Sequence, residues 1–258
     1  MSLYLKRNNI RGLRPSFFII ELNITELCDM KCEFCPRSEG YPNSNLNMSL
    51  DTLDNIVSSM EQLPQEVLVH ISGRGEPTLH PQFDQVLKKL SKFKVKLSTN
   101  GNRVDRYLDQ INQLHQVDYS IYDESKLTPQ QAVKKYGFHV VDKRTSSNGI
   151  YNNRAGSVVK SITDNNPYHP KLGLFCEKPF TVVYINYNGD YNLCCNEWFN
   201  PTVLGNVNQE SIYQFVTNNA KLKLFQQDLA NGKRNLSPCN KCNKPAHPKA
   251  VDFLLNTL

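Results

Sequence analysis

The chain has 258 residues, of which 39% are hydrophobic and 21% are charged, and its formal net charge is +6 at pH 7. These proportions are ordinary for a globular protein, and the length suits one large domain or a domain with a smaller appendage. No apolar run approaches the ~20 residues of a membrane-spanning helix. The first residues lack the apolar segment and cleavage site of a secretion signal. We therefore expect a cytoplasmic protein with no membrane partner.

The positive charge is a weak argument for a nucleic-acid partner. The most basic stretch, residues 88–96, has the pattern of a solvated helix face followed by a strand. Metal-binding thiols must also lose their protons, which lowers the formal charge. We do not expect a nucleic-acid partner on charge alone.

Strands and helices alternate over the first two thirds of the chain. Short apolar, β-branched runs predict strands at 16–25, 67–72, 95–101, 117–123 and 138–145. Apolar residues at helical spacing predict helices at 49–63, 83–93, 105–116 and 128–137, with Ser49 and Thr128 as N-caps. This alternation indicates βαβ units and a parallel sheet, whose functional loops follow the carboxyl ends of the strands.

The composition changes in the last part of the chain. Residues 146–171 are rich in Asn, Ser, Gly and Pro, which predicts a connecting segment. Residues 179–195 place aromatic and β-branched side chains around an Asn-Gly-Asp turn, which predicts a β-hairpin. Residues 209–233 predict a helix, and 237–248 a loop of the metal-knuckle type. We expect two domains, at 1–150 and 151–258.

Eight cysteines fall into separate groups, and positions 36 to 175 contain none. In a reducing compartment such cysteines are more often metal or redox ligands than disulfides. Cys28, Cys32 and Cys35 follow a C-x3-C-x2-C spacing directly after the first predicted strand. Closed metal sites and clusters normally take four ligands, so three thiolates leave one position open for a small molecule.

This motif, with Phe34 just before its last cysteine, resembles the signature of the radical S-adenosylmethionine (radical SAM) superfamily. The resemblance implies that Cys28, Cys32 and Cys35 hold a catalytic [4Fe–4S] cluster whose fourth iron binds S-adenosylmethionine (SAM). One-electron cleavage of SAM would then give a 5′-deoxyadenosyl radical, with an electron donor such as flavodoxin or ferredoxin. The alternative is a zinc knuckle that takes a fourth ligand from elsewhere.

Further motifs follow later predicted strands. Gly75, Glu76 and Pro77 resemble the family's GGEP-type motif, which contacts the SAM amino group, although Arg74 stands where the family often has the first glycine. Glycine allows close backbone approach, and a carboxylate accepts from an ammonium group. The resemblance also suggests four cofactor-binding side chains: Ser98, Asn100 and Ser120 near strand ends, and Arg154 in an N-R-x-G segment. Each of these is otherwise an ordinary turn or surface residue.

A second cysteine set, Cys176, Cys194, Cys239 and Cys242, resembles the SPASM/twitch extension of radical SAM enzymes. There are too few cysteines for the full SPASM arrangement, so the resemblance implies a twitch domain with one auxiliary [4Fe–4S] cluster. A structural zinc site is the alternative. Cys195 is spare: it could replace Cys194, face the substrate, or be a small buried residue. The six histidines show no ligand pattern and are interpreted as structural or surface residues.

The predicted architecture is an α/β partial (β/α)6 barrel of the TIM type, followed by a small α+β twitch domain. Its layout is most similar to that of small aminocyclitol dehydrogenases. The resemblance implies a radical SAM oxidoreductase, dehydrogenase-like, whose auxiliary cluster helps oxidation. We expect a sugar, a cyclitol or another small polar substrate.

Three points of this interpretation stay open. Because the cysteine loop begins at residue 28, we expect no N-terminal peptide-recognition domain, but modification of a peptide or protein side chain is the alternative. A zinc-knuckle nucleic-acid-binding module is the alternative of another class. Glu197 is a candidate acid–base catalyst because oxidation also removes a proton, and Tyr122, Asp123 and Asp190 are weaker candidates.

Overall fold

The computed structural model describes residues 19–64, 66–121, 128–142, 153–158 and 176–243. The predicted connecting segment at 146–171 lies mostly outside these residues, as do Tyr122 and Asp123. The division into domains at 1–150 and 151–258 therefore stays a prediction.

The described strands form one mixed sheet. In chain order they are β1 (Ile19–Asn23), β2 (Leu68–Ser72), β3 (Lys94–Thr99), β4 (Gln116–Ile121), β5 (His139–Asp142), β6 (Val182–Ile185), β7 (Asp190–Asn192) and β8 (Val203–Asn206). Their spatial order is β5-β4-β3-β2-β1-β6-β7-β8. All pairs from β5 to β6 are parallel, whereas β6–β7 and β7–β8 are antiparallel. The sheet thus contains the six parallel strands of the predicted partial barrel.

Helices connect the strands and continue after the sheet. They are α1 (Leu50–Glu61), α2 (Phe83–Leu90), α3 (Leu108–Ile111), α4 (Pro129–Tyr136), α5 (Lys178–Thr181), α6 (Ile212–Asn218) and α7 (Ala220–Ala230). The predicted N-caps are confirmed, because the Ser49 and Thr128 side chains accept backbone hydrogen bonds from Thr52 and Gln131. Of the helices that the structure describes, none has the length and apolar character to cross a membrane.

The two faces of the parallel sheet differ in polarity. Alternate positions on β1, β2 and β3 are apolar and fully or almost fully buried in the core: Ile20, Leu22, Val69, Ile71, Val95 and Leu97. The positions between them include Glu21, His70, Ser72, Lys96 and Ser98, which are only partly buried. Successive side chains on a strand point to opposite faces. The polar positions therefore share the face opposite the main core, where a packed barrel would instead carry bulky apolar residues.

The predicted hairpin at 179–195 has a different role from the one its sequence suggests. Its first residues form the short helix α5, and β6 then pairs in parallel with β1, from Ile19 opposite Val182 to Leu22 opposite Ile185. β6 is therefore both the first hairpin strand and the sixth parallel strand. The local turn signal predicted the β6–β7 pairing but carried no information about the pairing with β1.

Two predicted helices are divided in the structure. Residues 104–107 form a 3-10 turn before the short helix α3, so the predicted helix at 105–116 is less regular than expected. The predicted helix at 209–233 breaks at Asn219, which ends α6 and begins α7. Asn219 donates to the carbonyl of Leu204 and accepts from the amide of Leu222. Asparagine favours such local backbone bonding over continuing a helix.

A buried arginine joins the loop after β2 to two distant parts of the chain. The Arg74 guanidinium forms an ion pair with Glu26 at 3.3 Å and donates to the backbone carbonyl of Glu197 at 2.9 Å. The Tyr41 hydroxyl donates to Glu26 at 2.9 Å, and the Tyr41 ring packs edge-on against Trp198. Through these contacts Arg74 links the loop after β2 to the first cysteine loop and to the segment that follows Cys194 and Cys195.

We expect Arg74→Ala to lower the free energy of unfolding by about 3 kcal/mol, because it leaves the Glu26 carboxylate buried without its ion-pair partner. The matched control is Lys94→Ala. It breaks the exposed ion pair between Lys94 and Glu66 and should change the free energy by less than about 1 kcal/mol. Urea denaturation followed by circular dichroism measures both. If both variants lower the free energy of unfolding by less than about 1 kcal/mol, the Arg74 contacts do not stabilise the connection between these parts of the chain.

Candidate active site

The first cysteine loop follows β1 and is held by its own side chains. The Cys28 amide donates to Oδ1 of Asn43 at 2.9 Å, and Nδ2 of Asn43 donates to the Cys28 carbonyl at 2.9 Å. The Cys35 amide donates to the Cys32 carbonyl at 3.0 Å. All three cysteines line a cavity of about 230 Å³. The loop thus presents three thiols to one space, as the sequence predicted.

Arg37 anchors this loop from beneath. Its buried guanidinium donates to the backbone carbonyls of Pro42 at 2.7 Å, Arg74 at 2.9 Å and Glu26. A guanidinium offers five donors in a fixed planar arrangement, so one side chain can hold several carbonyls at once. Arg37 therefore fixes the cysteine loop against the loop after β2.

The cavity wall opposite the cysteines comes from the carboxyl ends of the parallel strands. Nearly all predicted cofactor-binding residues line the cavity: Phe34, Gly75, Glu76, Ser98, Asn100, Ser120 and Arg154. Pro77 does not line this cavity; it is buried and begins a short 3-10 helix at Pro77–Leu79. The structure therefore brings together residues that are far apart in sequence, with Pro77 supporting the loop from behind.

Glu76 is a fully hydrogen-bonded link between two strand ends. Its Oε1 accepts from the hydroxyls of Thr78 and Thr99 at 2.7 Å each, and its Oε2 accepts from the Asn100 amide at 2.7 Å. Burial nevertheless raises the pKa of the carboxyl group, because desolvation disfavours the charged form. Glu76 thus joins the loop after β2 to the end of β3, in addition to facing the cavity.

The packing around Gly75 leaves no room for a side chain. A Cβ atom at this position would lie 2.2 Å from the Thr25 carbonyl oxygen and 2.7 Å from that of Leu27. The next amide, that of Glu76, donates to the Leu27 carbonyl at 2.8 Å. The glycine therefore lets the loop after β2 lie directly against the start of the cysteine loop.

The other predicted side chains on the cavity wall have identified contacts. Nδ2 of Asn100 donates to Asp29 at 2.7 Å, which links the end of β3 to the cysteine loop. Nη1 of Arg154 donates to Oδ1 of Asn196 at 3.4 Å. The backbone φ of Arg154 is positive, at 50°. Arg154 is thus placed between the first cysteine loop and the segment after Cys194.

Several cavity residues were missed by sequence reasoning: Glu21, His70, Ser72 and Trp198. All six histidines were interpreted from the sequence as structural or surface residues. His80 is buried against the Met48 carbonyl, whereas His70 lines the cavity. The available signal was a polar residue between buried apolar neighbours in β1 and β2.

The second cysteine set also converges. Cys176, Cys194, Cys239 and Cys242 line a separate small cavity with Lys178 and Arg234. The pKa of Cys239 is raised to about 12, mainly by burial and also by the nearby Cys176 and Cys242 sulfurs. The pKa of Cys176 is also raised by burial. The described residues hold no group of three or more ligands arranged around a single metal ion. Four thiols that line one cavity suit a larger metal cluster, because metal binding drives their deprotonation.

Cys194 and Cys195 lie where the two cysteine cavities meet, and their side chains contact each other. Cys194 lines the four-cysteine cavity, whereas Cys195 lines the larger cavity that holds Cys28, Cys32 and Cys35. Both also line a third, smaller cavity. Which of the three alternatives holds for Cys195 stays a prediction.

Glu197 is placed behind the cavity wall. It is buried, its Oε1 accepts from the amide and hydroxyl of Thr202, and burial raises its pKa. Its backbone carbonyl accepts from Arg74. Glu197 does not line the larger cavity, and its catalytic role stays a prediction. Asp190 caps the hairpin turn through Asn188 and Asn206.

Two family models match the chain. Residues 22–123 match the radical SAM superfamily, and residues 176–243 match an iron–sulfur cluster-binding domain named SPASM. The first match contains the cysteine loop and the strand ends that line the larger cavity. The second begins at Cys176 and ends one residue after Cys242.

Curated relatives match over different lengths. The chain is 26% identical over 156 residues to a tungsten-containing aldehyde ferredoxin oxidoreductase cofactor-modifying protein of Pyrococcus furiosus, and it spans 41% of that protein. It spans 35% of a GTP 3′,8-cyclase of Actinobacillus pleuropneumoniae at 31% identity. An S-adenosyl-L-methionine-dependent 2-deoxy-scyllo-inosamine dehydrogenase of Niallia circulans is 22% identical over 88% of this chain and 93% of the relative.

Solved structures share the fold. BtrN in complex with AdoMet and 2-DOIA has a TM-score of 0.73 at 19% identity and covers 91% of this chain and 95% of BtrN. Streptococcus suis SuiB bound to precursor peptide SuiA has a TM-score of 0.54, with 93% of this chain and 72% of SuiB covered. The two family matches cover about two thirds of the chain. Residues 22–123 thus carry a radical SAM domain and residues 176–243 a SPASM iron–sulfur cluster-binding domain. These two domains imply SAM, a [4Fe–4S] cluster and an auxiliary iron–sulfur cluster as cofactors.

Proposed function

We propose that this enzyme removes a hydrogen atom from a small polar metabolite, such as a sugar or cyclitol, and oxidises it. The observation that carries this proposal is the polar lining of the cavity beside the three cysteines. Glu21, His70, Ser72 and Ser98 supply hydrogen-bonding groups on the strand face of that cavity. Such groups match the hydroxyls and amines of a polyol better than an apolar side chain.

In this proposal the chain's own residues have distinct tasks. Cys28, Cys32 and Cys35 would hold the open cluster, and Cys176, Cys194, Cys239 and Cys242 the auxiliary one. Bound SAM and its cluster supply the radical that takes the hydrogen atom. The cavity side chains orient the substrate, and a protein group accepts the proton that oxidation of an alcohol releases. The auxiliary cluster would accept the remaining electron.

The comparison with the Niallia circulans protein supports the substrate class. That relative is named as a dehydrogenase of a cyclitol amine, and its match extends over nearly its whole length. The proposal also includes a reducing, cytoplasmic setting and an electron donor of the flavodoxin or ferredoxin type, because both clusters depend on free thiolates and on a supplied electron.

Modification of a peptide side chain is the second candidate. It is favoured by the fold similarity to SuiB, which was solved with a precursor peptide. The zinc-knuckle alternative loses its basis, because residues 176–243 match an iron–sulfur cluster-binding domain. The two remaining candidates are both radical SAM reactions and differ in the size of substrate that the cavity accepts.

The metal content tests the assignment of the cysteines. Anaerobically purified protein should contain about eight irons and eight sulfides per chain, as two [4Fe–4S] clusters require. Replacing Cys239 and Cys242 with alanine should lower both contents by about half and leave the spectrum of the open cluster. The matched control is Cys195→Ala, which removes a neighbouring thiol and should keep both clusters. Iron and sulfide assays with electron paramagnetic resonance measure these outcomes.

The complementary test replaces the three cysteines of the first cysteine loop. Replacing Cys28, Cys32 and Cys35 with alanine should abolish reductive formation of 5′-deoxyadenosine while the auxiliary cluster remains. If this variant still cleaves SAM, the loop does not hold the catalytic cluster. If Cys195→Ala loses a cluster and Cys194→Ala does not, the fourth ligand is Cys195.

The substrate class is tested by 5′-deoxyadenosine release. With SAM and a chemical reductant, we expect 2-deoxy-scyllo-inosamine or another cyclitol or sugar of the panel to raise the rate at least about tenfold over the substrate-free rate. Each stimulating compound is then checked by mass spectrometry for loss of two hydrogens. Stimulation by cysteine- or serine-containing peptides, with none by cyclitols or sugars, would support the peptide candidate instead.

A further inference from the structure

A row of polar side chains crosses three strands at the floor of the larger cavity. Nε2 of His70 on β2 lies 2.9 Å from the Ser98 hydroxyl on β3. On its other side, Nδ1 of His70 lies 3.8 Å from Oε2 of Glu21 on β1. Oε1 of Glu21 accepts from the Ser72 hydroxyl at 2.7 Å. All four residues line the cavity.

This arrangement favours one tautomer of His70. The neighbouring carboxylate of Glu21 stabilises a proton on Nδ1, which leaves Nε2 as an acceptor toward the Ser98 hydroxyl. A serine, a histidine and a carboxylate in this order can move a proton from the serine oxygen to the imidazole and stabilise the resulting cation. Contacts of this kind are often long before substrate binds.

The surroundings keep His70 neutral, which leaves one ring nitrogen as a hydrogen-bond acceptor. Its pKa is lowered to about 4, mainly by burial and also by the charges of Lys96 on β3 and Lys178 on α5, whereas Asp118 on β4 opposes them. Lys96 is itself paired with Asp118 at 2.7 Å. These groups and Glu21 are the charged neighbours of the His70 ring in the described part of the sheet.

Other polar groups in and behind the cavity wall are less suited to accepting a proton from the substrate. The Arg154 guanidinium stays protonated in proteins, so it cannot accept a proton. Glu76 already accepts several hydrogen bonds that join two loops. Glu197 lies behind the wall, fastened through its carbonyl to Arg74. His70 combines a neutral acceptor atom, a hydroxyl partner and a supporting carboxylate.

We propose that His70 is the proton acceptor of substrate oxidation, and that it receives the proton of the substrate hydroxyl through Ser98 with Glu21 as its positioning residue. This inference rests on the proposed function. The carbon–hydrogen bond breaks when the hydrogen atom moves to the radical derived from SAM. The hydroxyl proton moves to Oγ of Ser98 as the Ser98 proton moves to Nε2 of His70. An auxiliary cluster held by Cys176, Cys194, Cys239 and Cys242 would accept the remaining electron, and the product is a carbonyl.

The test compares His70→Gln with His115→Gln, which alters an exposed histidine outside the cavity. The substrate is the first cyclitol of the panel that the unmodified enzyme oxidises, deuterated at the oxidised carbon. Calorimetry without reductant measures cyclitol and SAM binding, and the iron content verifies both clusters. With reductant, 5′-deoxyadenosine, oxidised product and the deuterium content of the recovered cyclitol are measured.

We expect His70→Gln to bind both ligands within about threefold of the unmodified enzyme and to keep about eight irons. Oxidised product should fall about 100-fold, the lower range for loss of a general base. The hydrogen atom would still be removed and then returned, so recovered cyclitol should exchange deuterium for protium. Ser98→Ala should show the same exchange with a smaller loss of product. His115→Gln should behave as the unmodified enzyme.

Three results would contradict the proposed proton transfer through Ser98 to His70, which is called the relay below. The first is an unchanged ratio of oxidised product to 5′-deoxyadenosine in His70→Gln. The second is loss of cyclitol binding or of iron in His70→Gln together with normal oxidation by Ser98→Ala, which would make His70 a structural residue. The third is an unmodified enzyme that oxidises no cyclitol or sugar. That result refutes the proposed function itself, and the relay with it, before any variant is made.

Discussion

The parallel pairing of β6 with β1 is the constraint on which the rest of the molecule depends. β1 leads directly into the first cysteine loop, and β6 leads through a tight turn and β7 to Cys194 and Cys195. Because the two strands run side by side in the same direction, their carboxyl ends lie at the same edge of the sheet. This register, followed by the antiparallel return of β7, brings Cys194 and Cys195 to the region of the first cysteine loop, from which they are separated by about 160 positions.

The polarity of the sheet follows from the same architecture. One face packs against the helices and is apolar, as burial requires. The other face carries Glu21, His70, Ser98 and the Lys96–Asp118 ion pair, which would be costly to bury without partners. Each of these groups contacts a group on a neighbouring strand. The cavity is therefore a place where the fold replaces core packing with a connected polar network.

The sequence was sufficient to predict what depends on local spacing. The C-x3-C-x2-C motif, the strand ends that carry Glu76, Ser98 and Asn100, and the five strands up to residue 145 were all predicted from short segments. The structure places the three cysteines and these side chains around one cavity. The four cysteines of the second set were also grouped correctly, since they line a cavity of their own.

What the sequence did not reveal depends on partners distant along the chain. Arg74 looked like a departure from a glycine pair, and only the structure shows its contacts with Glu26 and Glu197. His70 is a single histidine within an apolar strand, a pattern more typical of a core residue. Its neighbours at positions 21 and 98 become visible only when β1, β2 and β3 are in register. Strand pairing of this kind is not encoded in any local period.

Cys194 and Cys195, whose side chains contact each other, give the two cavities a common wall. Cys194 belongs to the four-cysteine cavity and Cys195 to the cavity with the open cysteine loop. Under the proposed function, an electron leaving the substrate has only this short segment of chain to cross before it reaches the auxiliary cluster. Glu21 lines a small cavity together with Cys194 and Cys195. The proposed proton transfer and the electron path would therefore begin at neighbouring positions.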